Sequence, residues 1–260
     1  MDYGQLIKDV FTLNFRSFRI RWDKLRSIQK RNSHGQKIAA VDPKKIPVVI
    51  NNRNRYTYLL QLITWLEKAG AENIIILDND STYPPLLKYY SETKHRVVKL
   101  GVNVGHLALW KSDLYNEVKD QFYVYTDPDV VPASTCPRDM MTHLLKQLEK
   151  YPAITKIGLG LKIDDLPDHY ANKQQVIAWE KKFWEKEIAP GIYDAEVDTT
   201  FALYRPYTNG ALWVAKAYRT GEPYVAHHLP WYENTADPGE ENLYYAKHAR
   251  AGASHWTNKS

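Results

Sequence analysis

The sequence of 260 residues contains a single cysteine, Cys136. One cysteine excludes an intramolecular disulfide, and it excludes a metal site built from several cysteines. Because chains without disulfides are typical of reducing compartments, we expect a cytoplasmic protein. The first ten residues, MDYGQLIKDV, lack the charged and then apolar layout of a signal peptide, which agrees with that expectation.

Long hydrophobic runs are lacking too. No apolar stretch approaches 18 residues, so the sequence predicts no membrane-spanning helix. Neither an internal repeat nor a low-complexity tract interrupts the chain. The hydrophobic fraction of 44% and the charged fraction of 25% are typical of globular proteins, and 260 residues can bury a sizeable core. We therefore predict one folded domain over residues 44–260, preceded by a separate segment over residues 1–43.

Excess positive charge is confined to the N-terminus. Residues 1–31 hold eight Lys and Arg against three Asp, which equals the whole net charge of +5. The neutral remainder does not have the basic surface of a nucleic-acid-binding protein, so no nucleic acid partner is expected. The same segment interleaves its basic residues with Leu, Ile, Val, Phe and Trp. Two interpretations stay open: peripheral association with the anionic inner face of a membrane, or a helix packed on the domain with a solvated basic face.

Apolar runs alternate with helical patterns through the first half of the domain, and one of these patterns runs from about His106 to Val118. The runs are IPVVI (46–50), NIIILD (73–78), RVVKL (96–100) and QFYVYT (121–126). Such alternation predicts a parallel sheet built from right-handed βαβ units. In the less regular second half, residues 137–150 and 173–188 have helical patterns, while TKIGLGL, TTFALY and ALWVA have strand patterns. The expected fold class is α/β, with a Rossmann-like, mostly parallel central sheet flanked by helices.

Polar residues follow all four of these strands. The first strand leads into Asn51, Asn52 and Arg53, the second into residues 78–81, the third into residues 101–105, and the fourth into residues 127–129. Ligands of open α/β sheets bind at the carboxyl ends of the strands. Four polar strand ends therefore predict a binding site at one edge of the sheet.

Two aspartates, Asp127 and Asp129, lie one residue apart in YVYTDPDVVP. Asp-Pro is a common way to end a strand, so a plain turn is one interpretation. The other is a metal site, because Mg²⁺ typically takes one or two carboxylates together with substrate phosphates.

Five stretches in order resemble the GT-A glycosyltransferases, most closely the large family 2 type. They are IPVVINNRNR, NIIILDNDST, LGVNVGHLAL, YTDPDVV and GEENLYYAKHARAG, and the likeness covers roughly residues 44–255. The resemblance implies a GT-A fold and a DxD motif at Asp127 and Asp129 that holds Mn²⁺ or Mg²⁺ on the donor diphosphate. Many such enzymes add a C-terminal histidine to the metal, which implies His255 as a third ligand.

The resemblance also implies where the donor nucleotide binds. Contacts follow the first strand, an aspartate after the second strand binds the base (usually uracil), and a loop after the third strand lies below the diphosphate. Trp110 stands where family members often have Arg, and Lys111 is the nearest substitute, although a helical Lys is commonly just solvated. The implied donor positions are Asn52, Arg53, Asp78, Asp80, Asn103, Gly105, Lys111 and Asp127.

A carboxylate pair, Glu240 and Glu241, replaces the family's usual Glu-Asp pair. In inverting enzymes one carboxylate of that pair acts as the general base on the acceptor hydroxyl. The alternative is that acidic residues after Pro238 simply favour the start of a helix. Aromatic residues of the second half are the expected acceptor-binding positions, chiefly Trp179, Trp231 and Tyr232, unless they belong to the core.

The resemblance therefore implies an inverting, metal-dependent enzyme with a Glu general base. It would transfer a sugar from a nucleotide-diphosphate sugar, most commonly a UDP-sugar, to a glycan or a lipid-linked acceptor. One alternative is a non-catalytic relative that binds carbohydrate or nucleotide-sugar. A sugar nucleotidyltransferase is a weaker alternative, because its glycine-rich loop has no counterpart in INNRNRYTY.

Overall fold

The structure, a computed structural model, describes residues 26–33, 35–208 and 216–249. Within these ranges ten strands form a mixed sheet in the order β3-β2-β1-β4-β9-β6-β10-β8-β7, and β5 pairs with β10. The strands are β1 Val48–Asn52, β2 Ile74–Asp78, β3 Arg96–Lys99, β4 Tyr123–Thr126, β5 Val130–Pro132, β6 Lys156–Leu161, β7 Glu187–Ala189, β8 Ile192–Tyr193, β9 Ala202–Tyr204 and β10 Ala217–His228.

Strands β1 to β4 are mutually parallel. Strands β6 and β10 are parallel to each other, and β9 runs antiparallel between β4 and β6. The hairpin of β7 and β8 and the short β5 complete the sheet on β10. The order 3-2-1-4 of the parallel part is that of a Rossmann-like unit, so the predicted α/β class is confirmed.

Helices cover the sheet because its strands are apolar on both sides. Alternate residues of β1 and β2 point to opposite faces, as the period of two in a strand requires. On one face the core includes Val48 and Ile50 together with residues of α1, α2, α4 and α5; on the other face Val49 packs with shorter segments. The helices are α1 Thr57–Lys68, α2 Pro84–Glu92, α3 Leu114–Val118, α4 Met140–Lys150, α5 Lys173–Glu180 and α6 Glu240–His248.

Two predicted helices differ from the structure. The stretch 106–118 forms a short 3-10 turn, Leu109–Lys111, followed by α3. The stretch 173–188 leaves the α-helix after Glu180, whose carboxylate forms a buried ion pair with Arg219 of β10 at 2.8 Å. Its last residues then join the sheet as β7, so tertiary contacts override the helical pattern. The predicted strand ALWVA (211–215) lies outside the described residues.

Most of the basic N-terminal segment also lies outside them. The described part, residues 26–33, is helical, and Arg31 donates to the Pro206 carbonyl at 3.1 Å. Gln36 donates its backbone N–H to the Asp120 carbonyl at 2.8 Å. These contacts agree with packing on the domain for Arg31 and Gln36. None of the described helices combines the length and apolarity needed to cross a bilayer.

Candidate functional site

The polar strand ends meet at one edge of the sheet. The register pairs Asn52 of β1 with Asp78 of β2, and it pairs Ile50 of β1 with Thr126 of β4. Asp127 follows directly after β4. Because parallel strands end on the same side, these residues lie at one edge of the sheet. Asp78 is level with Asn52, whereas Asp127 is level with Asn51, whose side chain is hydrogen-bonded to it.

Asp78 is held by a buried hydrogen-bonded chain. Its Oδ1 accepts from the Tyr90 hydroxyl at 3.0 Å, and that hydroxyl accepts from Asn52 Nδ2 at 2.9 Å. Burial and the charge of Asp78 raise the pKa of Tyr90 well above its ordinary value, which keeps the phenol a donor. Asn52 Oδ1 has no hydrogen-bond partner among the described residues. This chain leaves Asn52 with an acceptor atom to spare, beside a fixed carboxylate.

Asn79, which the sequence did not single out, anchors the loop after β3. Its Oδ1 accepts from the Val104 N–H at 2.8 Å, and its Nδ2 donates to the Gly105 carbonyl at 3.0 Å. Gly105 has φ +85, a backbone conformation in which glycine is favoured. Two further hydrogen bonds hold the same loop. Asn103 Oδ1 accepts from the Gly105 N–H, and Lys111 Nζ donates to the Val104 carbonyl. The predicted diphosphate loop is therefore fixed against the end of β2.

The backbone after β2 turns sharply at Asp80. This residue has φ +69, and its side chain is half-buried. Asn54, with φ +54, is bonded across to the same turn, because its Oδ1 accepts from the Thr82 N–H at 2.7 Å and the Tyr83 N–H at 3.0 Å. The loops after β1 and β2 thus form one rigid rim.

Asp127 and Asp129 lie beside each other at the end of β4. Thr199 donates to Asp127 Oδ2 at 2.6 Å, and His228 Nε2 lies 3.8 Å from Asp129 Oδ2. Burial, and next the negative charge of Asp129, raise the pKa of Asp127 well above its ordinary range. Asp129 Oδ1 is buried and has no hydrogen-bond partner in the described part of the chain. Two neighbouring carboxylates with an unused buried oxygen fit a hard divalent cation.

A complete protein cage for a metal is not present in the described ranges, where no three His, Cys, Asp or Glu side chains converge on one point. Two carboxylates are enough for Mg²⁺-type sites that also use water and phosphate oxygens. The predicted third ligand, His255, lies outside the described residues.

Helix α6 closes over the same edge. Arg53 Nη1 donates to the His248 carbonyl at 2.7 Å. The Arg55 guanidinium lies 3.6 Å from the centre of the Tyr245 ring, and it donates to Asn242 Oδ1. Burial raises the pKa of Tyr245, and the charges of Asp127 and Asp129 raise it further. Tyr245 therefore lies near the acid pair, with Arg55 against its ring, although nothing in the local sequence marked either residue.

The two predicted catalytic glutamates have different surroundings. Glu241 Oε2 accepts from the Thr57 N–H at 2.8 Å and the Thr57 hydroxyl at 2.9 Å. Glu241 thus satisfies a free donor at the start of α1, as a capping residue does. Glu240 is exposed. Both line a cleft of about 420 Å³ between α1 and α6, together with Tyr58, Tyr83 and Glu233.

The three predicted acceptor-binding aromatic residues differ in their exposure to solvent. Trp231 is 2% exposed and packs against the His228 ring, with 4.6 Å between the ring centres. Tyr232 donates to Asp165 Oδ1 at 2.5 Å. Trp179 is 53% exposed, and Lys182 Nζ lies 3.5 Å from its ring centre. Trp231 therefore contributes to the core, while Trp179 presents an open ring to solvent.

No family model matches this sequence, and a search of curated proteins finds no match. Two solved structures of glucosyl-3-phosphoglycerate synthase from Mycobacterium tuberculosis are similar, one in complex with phosphoglyceric acid and the other with Mn²⁺ and uridine-diphosphate-glucose. The TM-score is 0.40 for each, at 15% and 16% identity. Each alignment covers 66% of this chain and 61% of that protein, so the chain spans less than two thirds of its length. A likeness at this level assigns no activity by itself.

Proposed function

We propose that this chain is a metal-dependent glycosyltransferase of the GT-A type, which transfers a sugar from a nucleotide-diphosphate sugar to an acceptor hydroxyl. The observation that carries the proposal is the convergence of three features at one sheet edge. They are the fixed carboxylate Asp78, the anchored loop of residues 103–105, and the acid pair Asp127 and Asp129.

Each feature matches one part of such a donor. Asp78 and the spare Oδ1 of Asn52 suit the hydrogen-bonding edge of a base, and a UDP-sugar is the first donor to test. The loop after β3, anchored by Asn79, would lie below the diphosphate. Asp127 and Asp129 would hold Mn²⁺ or Mg²⁺, which supplies Lewis-acid stabilisation of the leaving diphosphate.

The chain's own residues position the reacting groups. Thr199 orients Asp127, His228 faces Asp129, and the positive charge of Arg55 acts on His228. Fixed charges of this kind stabilise charge that develops on a leaving group, because they need no reorganisation during the reaction. The cleft between α1 and α6 is the proposed entrance for the acceptor, a glycan or a lipid-linked sugar, and its carboxylates supply the base.

Release of UDP from UDP-glucose, measured with Mn²⁺ and then with excess chelator, tests this function. Both Asp127→Ala and Asp129→Ala should abolish release, while Asp113→Ala, which removes an exposed aspartate with no capping hydrogen bond, should leave it unchanged. Full activity of the two site variants in chelator would refute the metal role. Tight UDP binding without any release from the intact protein would instead favour the non-catalytic relative.

A further inference from the structure

Four carboxylates line the cleft between α1 and α6, and they are not equivalent. Glu241 caps α1, and Glu240 is exposed. Asp237 is exposed as well. Glu233, in the loop before α6, is half-buried and is held at both of its oxygens. A base must keep its orientation while the acceptor binds. Glu241 is held at one oxygen, Oε2, by its cap of α1, whereas Glu233 is held at both oxygens, by residues of α1 and α6.

The hydrogen bonds of Glu233 form a continuous support. The Tyr58 hydroxyl of α1 donates to Oε1, and Asn242 Nδ2 of α6 donates to Oε2. Asn242 is itself fixed, because its Oδ1 accepts from Arg55. A carboxylate has about four lone-pair sites, so two bonds leave room to accept a further proton. Glu233 is therefore oriented and still able to act as a base.

Glu233 is also connected to the acid pair. Leu229 donates its N–H to the Asp129 carbonyl at 2.8 Å, and the short turn Leu229–Tyr232 leads directly to Glu233. The charge of Arg55 acts on His228 beside Asp129 and on Glu233. Arg55 is joined to Glu233 through Asn242, because it donates to Asn242 Oδ1 and Asn242 Nδ2 donates to Glu233 Oε2.

The charged groups around Glu233 come from three elements. Burial raises its pKa, and the negative charge of Glu241 raises it further, while Asn242 and Arg55 lower it. Tyr58 faces it from α1, and Asp237 and Glu240 line the same cleft. A base with a pKa closer to the working pH transfers protons more effectively than an exposed glutamate does.

We infer that Glu233, rather than Glu240 or Glu241, is the general base for the acceptor hydroxyl. The inference rests on the proposed function. In the step, the acceptor O–H bond breaks and its proton moves to Glu233. The acceptor oxygen forms a bond to the anomeric carbon, and the bond from that carbon to the diphosphate oxygen breaks with its electron pair on the leaving diphosphate. Tyr58 and Asn242 are positioning residues.

The test compares Glu233→Gln, Glu240→Gln and Glu241→Gln in UDP-glucose hydrolysis with Mn²⁺, where water takes the acceptor's place. Glu233→Gln should slow release by about 10²–10⁴-fold, the usual effect of losing a general base. Its affinity for UDP should stay within about threefold, since the base does not touch the nucleotide. Glu149→Gln, on the exposed side of α4, is the matched control.

Two further readouts separate catalysis from structure. The acid limb of the wild-type pH–rate profile should disappear in Glu233→Gln, and added formate should restore part of the rate of Glu233→Ala. A rate within about threefold of wild type in Glu233→Gln, or the large loss in Glu240→Gln or Glu241→Gln instead, overturns the inference while leaving the proposed function intact. Failure of the wild-type protein to bind any nucleotide-sugar overturns both.

Discussion

Asn79→Ala removes a side chain that fastens the loop after β3. Asn79 is 3% exposed, and its two amide groups bond to Val104 and Gly105. The substitution leaves a backbone donor and a backbone acceptor without partners in a half-buried place. Each lost bond costs about 1–2 kcal/mol when its partner stays buried, so the free energy of unfolding should fall by about 2–4 kcal/mol. In a chain of this size that corresponds to a melting temperature lower by about 4–16 °C.

Urea unfolding of wild type, Asn79→Ala and Asn103→Ala measures the effect. Asn103 makes one local bond, to the Gly105 N–H, so its loss should cost about 1 kcal/mol or less. Asn79→Ala should also weaken UDP binding, because the loop it anchors belongs to the proposed diphosphate site. An unfolding free energy within about 0.5 kcal/mol of wild type, with unchanged UDP affinity, would show that the loop is held by other contacts.

The remaining predictions concern buried charges and the acid pair. Arg219→Met leaves the buried Glu180 without its ion-pair partner, so urea unfolding should show a loss of about 3–5 kcal/mol. Burial lowers the pKa of Lys156 to about 8. Between pH 8 and 10 the unfolded chain therefore binds more protons than the folded protein, so the free energy of unfolding of the wild type should rise with pH across that window, and that of Lys156→Met should lack this rise. Thr199→Val removes the hydrogen bond that favours ionised Asp127, so Mn²⁺ binding should require a higher pH.

Much of the parallel half of the sheet could be predicted because its signals are local. The four apolar runs became β1 to β4, with the expected parallel direction. Polar residues placed after those runs share one sheet edge as a direct consequence of parallel pairing. The placement of Asn52, Asp78 and Asp127 at that edge therefore follows from strand order and register.

Other parts of the candidate site depend on contacts between distant residues. Arg55 meets Tyr245 of α6, and Tyr58 meets Glu233, across more than 170 residues in each case. No spacing in the sequence marks such pairs. Glu241 is a further case, because its capping hydrogen bond to Thr57 forms only when α1 and α6 lie side by side, which the sequence does not indicate.

The second half was harder to predict because its elements are short and depend on pairing. Strands β7 and β8 contain three and two residues, and they form only against β10. A buried ion pair, Glu180 with Arg219, coincides with the end of α5, where the sequence alone predicted that the helix would continue. Propensity is a weak guide where tertiary contacts of this strength compete with it.

The most direct test of the central claim is a calorimetric titration of UDP-glucose into the protein with and without Mn²⁺. We expect UDP-glucose binding to depend on Mn²⁺ in the wild type and to lose that dependence in Asp127→Asn and Asp129→Asn, with both variants folded. A wild-type affinity that is the same in excess chelator, or undiminished Mn²⁺-dependent binding by both variants, would contradict the assignment of the acid pair to the donor diphosphate.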